Sequence, residues 1–426
     1  MADTIKYEYC VNLSPTLHCC NVGERSSLIG EVVMLILLVA VVNFLVILVI
    51  FTQLIVGFKK TGKLDNCGPP GASASPKVSI IMTACNEEDG IEQAVHTMFQ
   101  QQYENYEVIV VDDRSTDETP IILGRLQTHY PELSVIRIDH LPEGWLGKVH
   151  AMQVGAEQSS GEFLLFTDGD VILEPSTIAR AIGHADTNNL DHLTLIFRNS
   201  TRGLLLNSLI IDSGTGLFLL LKPWLVKKQE SRYFIGVGAF NLIRAAAYRA
   251  IGGHQQLKTQ VVDDLFLGKK LKYAGFHQDC LFAQNHVSVP WYDSIADMVS
   301  GLMKNVYSLF HYKILLVIPV ILFMVFLTIV PLVGLLFCTG VSQLLFLSSI
   351  LLRGAGVAMG LKVFNQNLLA VLYTPLTPLI SLYIIIRATF ITHHLQGVYW
   401  RDHFYPLAQL RKGEWLLKGF LKRSGR

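Results

Sequence analysis

Two long apolar blocks frame the chain and predict helices that cross a membrane. Residues 32–58 are apolar apart from polar positions such as Asn43 and Gln53, and residues 314–391 carry very few charges. About 20 apolar residues suffice to cross a bilayer as a helix. The first block is too long for a signal-peptide core, which indicates a retained anchor. Lysines at 59, 60 and 63 follow it, so the positive-inside rule places the next domain in the cytoplasm.

The second block divides into segments 314–338, 341–361 and 368–391, each of which predicts a helix. Four crossings in all would place the C-terminal tail outside. The tail is nevertheless rich in lysine and arginine, which favours the inside. Either residues 341–361, which contain Arg353, are re-entrant, or the charge rule fails for this chain.

Two further segments are expected at the membrane surface. Residues 204–221 are very apolar but contain Asn207 and Asp212, which favours a helix that is buried or lies on the membrane over one that crosses it. Residues 291–312 carry aromatic side chains among methionine and leucine, which predicts an amphipathic helix in the interface.

Between the apolar blocks, strands alternate with helices. The predicted strands are residues 78–82, 108–111, 135–138 and 163–167. The predicted helices are residues 90–101, 148–158 and a segment capped by Ser115 or Thr116 that runs toward His129. This alternation predicts an α/β fold with a mostly parallel sheet. The sequence contains neither the G-x-G-x-x-G of dinucleotide folds nor a Walker motif.

These patterns divide the chain into seven predicted segments. They are a polar N-terminal segment (1–31), a transmembrane helix (32–58), a linker (59–76), a catalytic α/β domain (77–290), an interfacial helix (291–312), a membrane block of two or three spans (313–392) and a basic tail (393–426).

Composition supports an integral membrane protein. The 426 residues are 51% hydrophobic and only 16% charged, with a mean hydropathy of +0.39. A net charge of +1 offers no argument for a nucleic-acid partner. The cysteines lack metal-ligand spacing, and Cys85 and Cys280 are expected to be reduced thiols of a cytosolic domain.

Three acidic groups stand on the predicted domain. Asp112 and Asp113 end the second strand, Asp168 and Asp170 follow the fourth, and a pair at 263 and 264 opens a later helix. Each alone could cap a helix or occupy a solvated turn. Two of them lie at the carboxyl ends of strands of one parallel sheet, where such folds bind ligands. Together they suit transfer from a nucleotide-diphosphate donor, with carboxylates for the nucleoside, for Mg²⁺ or Mn²⁺ and for proton abstraction.

Four motifs in order resemble the family 2 glycosyltransferases of the GT-A fold. They are residues 81–88 (IMTACNEE), 110–117 (VVDDRSTD), 167–170 (TDGD) and 262–265 (VDDL). The resemblance covers about residues 77–272. Residues 144–151 (GWLGKVHA), residues 236–253 and the C-terminal membrane block are similar to the bacterial integral-membrane branch associated with hopanoid and carotenoid lipids, relatives of ceramide glucosyltransferase.

The resemblance implies a role for each acidic group. Glu87 and Asp113, with Asp112, would contact the nucleoside. Asp168 would face the nucleotide, and Asp170 would ligate Mg²⁺ or Mn²⁺. The general base would be Asp264, in a single displacement that inverts the anomeric centre. Asp263, the neighbour of the base, is a further contact candidate.

Alternative roles are open for Lys148 and for a motif near the C-terminus. Lys148 occupies the family's Gly-Lys position and either neutralises the diphosphate or is an exposed lysine at a helix start. Many relatives carry Gln-x-x-Arg-Trp after the base. Gln396 and Trp400 fit its outline, but Tyr399 stands where arginine is expected, and the motif follows the last span. Where relatives place this motif, Lys304 could supply the positive charge instead, and Trp400 could simply pack against the membrane.

Three functions remain open at this point. The first is a membrane-bound glycosyltransferase that moves a sugar, expected to be a hexose from a UDP-sugar, to a lipid hydroxyl in a bacterial-type plasma membrane. The second is a polysaccharide synthase, which the few spans and the missing arginine disfavour. The third is a non-catalytic scaffold that binds nucleotide sugars, which three intact acidic groups disfavour.

Overall fold

The computed structural model describes residues 22–71, 75–400 and 403–415. Most of the polar N-terminal segment and the basic residues beyond 415 lie outside this part of the chain. The strands are β1 Gly62–Lys63, β2 Val78–Ala84, β3 Tyr106–Asp113, β4 Leu133–Ile138, β5 Phe163–Asp168, β6 Ile172–Leu173, β7 His192–Ile196, β8 Arg198–Asn199, β9 Asn241–Arg244, β10 Gln278–Phe282, β11 Val287–Val289, β12 Gly397–Trp400 and β13 His403–Pro406. The α-helices are α1 Val22–Lys60, α2 Ile91–Phe99, α3 Thr119–His129, α4 Gly147–Gln158, α5 Thr177–Thr187, α6 Leu204–Leu221, α7 Ala245–Ala250, α8 Asp263–Tyr273, α9 Ile295–Leu309, α10 Ile314–Phe337, α11 Gly340–Val363, α12 Thr377–Leu395 and α13 Leu407–Leu410.

The main sheet has the strand order β1-β10-β7-β9-β5-β2-β3-β4. Every neighbouring pair is parallel except those made by β9, which runs antiparallel to β5 and β7. All of β2 and nearly all of β5 are buried, as expected for central strands covered on both faces. The predicted mostly parallel α/β fold is therefore confirmed, and the four predicted strands are present with slightly wider bounds.

The predicted cap of α3 is wrong. The helix begins at Thr119, where Pro120 favours the first turn, and not after Ser115 or Thr116. The Ser115 hydroxyl oxygen instead accepts a hydrogen bond from the backbone N–H of Asn86, at 3.0 Å. The loop after β3 is thereby tied to the loop after β2 and cannot start the helix.

The first residues of the predicted linker (59–76) belong to the folded domain. The Thr61 N–H bonds to the Gly57 carbonyl, and β1 then pairs in parallel with β10. Leu64 is fully buried in the core. Phe58, near the end of α1, stacks on Phe218 of α6 with ring centroids 5.0 Å apart. The helix is therefore joined to the sheet edge without a flexible interval.

Among the described residues, five helices are long and apolar enough to cross a membrane by length and composition: α1, α6 with the turn after it, α10, α11 and α12. Both ends of α6 nevertheless lie on the globular domain. Asn207 bonds to Asn199 of β8, and the carbonyl of Val226, just after the helix, accepts a bond from Lys272. The helix therefore begins and ends in contact with the globular domain.

The C-terminal helices return to the domain. After α11, Asn365 and Gln366 bond to Asn285 and to the carbonyl of Asn199. The chain then turns back, and the carbonyl of Thr374 accepts a bond from Arg353, about 15 Å along α11 from its end. Residues 368–374 therefore run back along the end of α11 toward Arg353 before α12 begins.

The tail packs on the globular domain. The Lys269 ammonium bonds to the carbonyl of Trp415 at 2.8 Å and pairs with Glu414 at 3.4 Å. Gln260 bonds to the Glu414 carbonyl. Glu414 and Trp415 of the tail are therefore in direct contact with the globular domain at α8.

Candidate active site

A half-buried lysine connects the acidic groups. Lys148, the second residue of α4, forms an ion pair with Asp168 at the end of β5. Burial lowers the pKa of its ammonium, but the carboxylates of Asp168, Asp263 and Asp264 outweigh burial and raise the pKa above its usual value. Lys148 is thus a charged centre among three carboxylates and not an exposed helix-start residue.

Gly238 lies where these groups converge. A Cβ at this position would be 3.0 Å from Asp168 Oδ2, 3.4 Å from Lys148 Nζ and 3.6 Å from Asp264 Oδ2. Side chains from the end of β5 and from the starts of α4 and α8 therefore meet around one backbone that has no side chain. The sequence analysis noted residues 236–253 as a similar segment and did not single out Gly238. The feature that could have identified it is its position just before a buried strand.

The carboxyl pKa values of the two acids that open α8 shift in opposite directions. Asp263 is buried, yet Lys148 and His254, whose Nε2 is 3.7 Å from its Oδ2, lower the pKa of its carboxyl. Burial and the charge of Asp263 raise the pKa of the Asp264 carboxyl to about 7. A carboxyl whose pKa lies near neutrality suits proton uptake and release.

Asp170 lies beside two other carboxylates. Burial, then the charges of Asp168 and Glu87, raise the pKa of its carboxyl to about 7. Such crowding of negative charge fits a site that receives a cation. Within the described residues, no three metal-ligating side chains converge closely enough to hold an ion alone. Magnesium-type sites commonly use one or two carboxylates and take the remaining oxygens from substrate phosphates, so the residues fit such an ion.

The predicted nucleoside contacts occupy two places. The buried Asp112 carboxylate accepts a hydrogen bond from the Arg137 guanidinium at 2.6 Å. Both oxygens of the Asp113 carboxylate accept from the Arg114 guanidinium, at 2.7 and 3.0 Å. Glu87 lies elsewhere, since a Cβ on Gly169 would be 3.2 Å from its Cγ. The structure therefore places Glu87 next to Asp170 and leaves Asp113 at the α4 edge of the site.

The remaining candidates form a separate group at the junction of α9 and the β12–β13 hairpin. The Lys304 ammonium lies 4.0 Å from the ring centroid of Trp400, so the two alternatives for the missing arginine are neighbours. Gln396 ends α12 in a left-handed conformation and bonds to the carbonyl of His393. Tyr399 is 64% exposed and packs on Phe404.

The sequence analysis missed that the β12–β13 hairpin contacts the part of the site that contains Asp113. Arg114, which holds Asp113, also contacts the His403 imidazole and the Tyr405 hydroxyl. The Tyr405 oxygen lies 3.4 Å from the backbone nitrogen of Gly147 at the start of α4. Nothing in the local pattern of the tail indicates these long-range contacts.

The family model described as glycosyl transferase family 2 matches residues 79–251. An uncharacterized glycosyltransferase of Haemophilus influenzae is 33% identical over 134 residues, which are 31% of this chain and 36% of that protein. A beta-monoglucosyldiacylglycerol synthase of Nostoc sp. is 27% identical over 219 residues, covering 49% of this chain and 43% of that protein. A 4,4'-diaponeurosporenoate glycosyltransferase of Staphylococcus haemolyticus is 24% identical over 246 residues, 54% of this chain and 60% of that protein.

The chain thus spans less than two thirds of the length of each of these relatives. Among solved structures, the mannosyltransferase PcManGT from Pyrobaculum calidifontis, in complex with GDP-Man and Mn²⁺, is 16% identical with a TM-score of 0.49. That match covers 84% of this chain and 99% of the other.

Proposed function

We propose that the protein, whose residues 79–251 match the model of glycosyl transferase family 2, transfers a sugar from a nucleotide-diphosphate donor to the hydroxyl of a membrane lipid, with inversion. The observation that carries the proposal is the convergence of Lys148, Asp168 and Asp264 around Gly238. This point lies at the carboxyl edge of the sheet, beside Asp170, where α/β sheets bind ligands.

The donor diphosphate is bound next to Lys148, whose positive charge offsets that of the phosphates. A Mg²⁺ or Mn²⁺ ion held by Asp170, with Asp168 and Glu87 nearby, would stabilise the negative charge that develops on the leaving diphosphate. Asp113 and Asp112 lie on the nucleoside side. UDP is the proposed nucleotide, and a hexose the proposed sugar.

Asp264 acts as the general base. The acceptor oxygen forms a bond to the anomeric carbon while the bond from that carbon to the phosphate oxygen breaks. The acceptor proton passes to the Asp264 carboxylate, and the nucleoside diphosphate leaves with the bonding electrons. A pKa near 7 allows this carboxyl to accept a proton in one turnover and release it before the next.

The lipid acceptor is proposed from the long apolar helices and from two relatives whose names specify monoglucosyldiacylglycerol and 4,4'-diaponeurosporenoate. We propose that α1, α10 and α11 cross the membrane, that α12 is re-entrant and that domain and tail are cytoplasmic. The amphipathic α9 and the partly exposed α6 would then present the acceptor at bilayer level.

The test uses membranes from cells that express the full chain, incubated with a panel of labelled nucleotide sugars. Label is expected in extracted lipid. Asp264→Asn should abolish this transfer while donor binding survives, and Asp186→Asn, which changes an exposed carboxylate at the end of α5, should leave it unchanged. Full activity of Asp264→Asn would remove the assignment of the base. Label found only in water-soluble polymer would favour a polysaccharide synthase, and donor binding without any transfer would favour a scaffold.

A further inference from the structure

Tyr405 connects the C-terminal hairpin to the donor side of the site. Its ring is buried, with 7% exposed, and packs in the core cluster that contains Leu146 and Val398. Its hydroxyl is the polar end of an otherwise apolar contact. The hydroxyl accepts from the Gly147 N–H at 3.4 Å and is bonded to the Arg114 guanidinium.

Both partners of the hydroxyl belong to donor-site elements. Gly147 is the first residue of α4, where backbone N–H groups have no partner within the helix, and the next residue is Lys148. Arg114 follows Asp113 and donates hydrogen bonds to both oxygens of its carboxylate. A Cβ at Gly147 would overlap Asp113 Oδ2 and the guanidinium, so the cluster is closely packed.

Arg114 is held from three directions. Its backbone is left-handed, with φ +59°, which turns the side chain back toward Asp113. One of its terminal nitrogens contacts His403 Nε2 on the hairpin, and Tyr405 contacts the same guanidinium. An arginine fork fixed in this way holds a carboxylate in one orientation, because its donors are rigidly arranged.

We propose that Tyr405 is a positioning residue for the donor: through Arg114 it fixes the Asp113 carboxylate, and through Gly147 it fixes the start of α4. The hairpin formed by β12 and β13 thereby completes the nucleoside-binding side of the site. This inference rests on the proposed function, since Asp113 is the proposed nucleoside contact. A tyrosine that served only to stabilise the hairpin would need its ring alone, and that ring is already anchored by apolar packing.

The variant Tyr405→Phe removes the hydroxyl and keeps the ring. Full-length protein in nanodiscs should then bind UDP about tenfold more weakly, because a hydrogen bond to a charged group is lost. KM for the donor should rise by a similar factor while kcat stays within about twofold. Tyr399→Phe is the matched control, because it deletes a hydroxyl from the same hairpin at a side chain that is 64% exposed; its UDP affinity should equal that of wild type.

His403→Gln provides a second variant at an exposed position, where folding is not at risk. It should weaken UDP binding about threefold, by loosening Arg114 from one side. Wild-type UDP affinity in both Tyr405→Phe and His403→Gln would overturn the proposed role of the hairpin while leaving the proposed function intact. A wild-type protein that bound no UDP or GDP and transferred no sugar would overturn the proposed function and this inference together.

Discussion

Mn²⁺ binding to the protein saturated with a UDP-sugar should depend steeply on pH, because Asp170, the proposed metal ligand, must lose a proton to ligate the ion. Burial and the nearby charges of Asp168 and Glu87 raise the pKa of the Asp170 carboxyl to about 7, from an ordinary value of 3.8. Protonation and metal binding compete for the same oxygens, so affinity is highest above this pKa and falls as the pH drops through it.

The size of the effect follows from the pKa. The apparent Kd is the intrinsic value multiplied by one plus the ratio of protonated to ionised carboxyl. Lowering the pH from about 8 to about 6 should therefore weaken Mn²⁺ binding about tenfold, and a further unit should weaken it about tenfold again. A carboxyl with the ordinary pKa of 3.8 would give almost no change over the first interval.

Free Mn²⁺ can be measured by electron paramagnetic resonance with the full chain in nanodiscs of uncharged lipid and a saturating UDP-sugar. Asp170→Asn should bind weakly and without this pH dependence. Asp186→Asn, which removes an exposed carboxylate, should keep the tenfold change. A wild-type Kd that is constant between about pH 6 and pH 8 would refute the argument that neighbouring carboxylates hold Asp170 partly protonated.

Three further outcomes are expected. Because the proposed base, Asp264, can accept a proton only when ionised, and burial raises the pKa of its carboxyl to about 7, kcat/KM should rise with pH through 7 and level off above it; a rate already constant from about pH 6 would contradict this. Gly238→Ala places a Cβ 3.0 Å from Asp168 Oδ2 and should lower kcat about tenfold without lowering the melting temperature; normal kcat would show that the groups need not converge. Arg353→Leu leaves Asp212 without its ion pair and should destabilise the protein by roughly 1–3 kcal/mol in thermal unfolding, and adding Asp212→Asn should restore part of this.

The first half of the sheet could be predicted because its strands are strongly apolar and end in acids. The runs that became β2, β3 and β5 have the hydrophobic pattern of covered parallel strands, and their last residues fall at one edge. The positions of Asp113, Asp168 and Asp170 follow directly from that pattern. The cap of α3 could not be read in the same way, because Ser115 is engaged by another loop and local preference gives no sign of that contact.

The second half and the tail depend on contacts between distant residues. β1 has only two residues and no hydrophobic period, so a Gly-Lys pair after a membrane helix resembled a linker. β9 is short, antiparallel and preceded by an irregular loop, so neither its direction nor the place of Gly238 could be inferred. Tyr405 contacts Gly147, which is 258 positions away in the sequence, and no hydrophobic periodicity predicts such a contact.

The continuous path from α1 into β1 fixes how far the catalytic groups stand from the bilayer. Lys60 ends the helix, Gly62 is already paired to Leu281 in the sheet, and Phe58 is packed against α6. A domain attached in this way cannot swing on a tether to meet acceptors of different length. Its reach is a constant of the fold, so the proposed lipid acceptors would be selected by how far their hydroxyl projects from the membrane as well as by their chemistry.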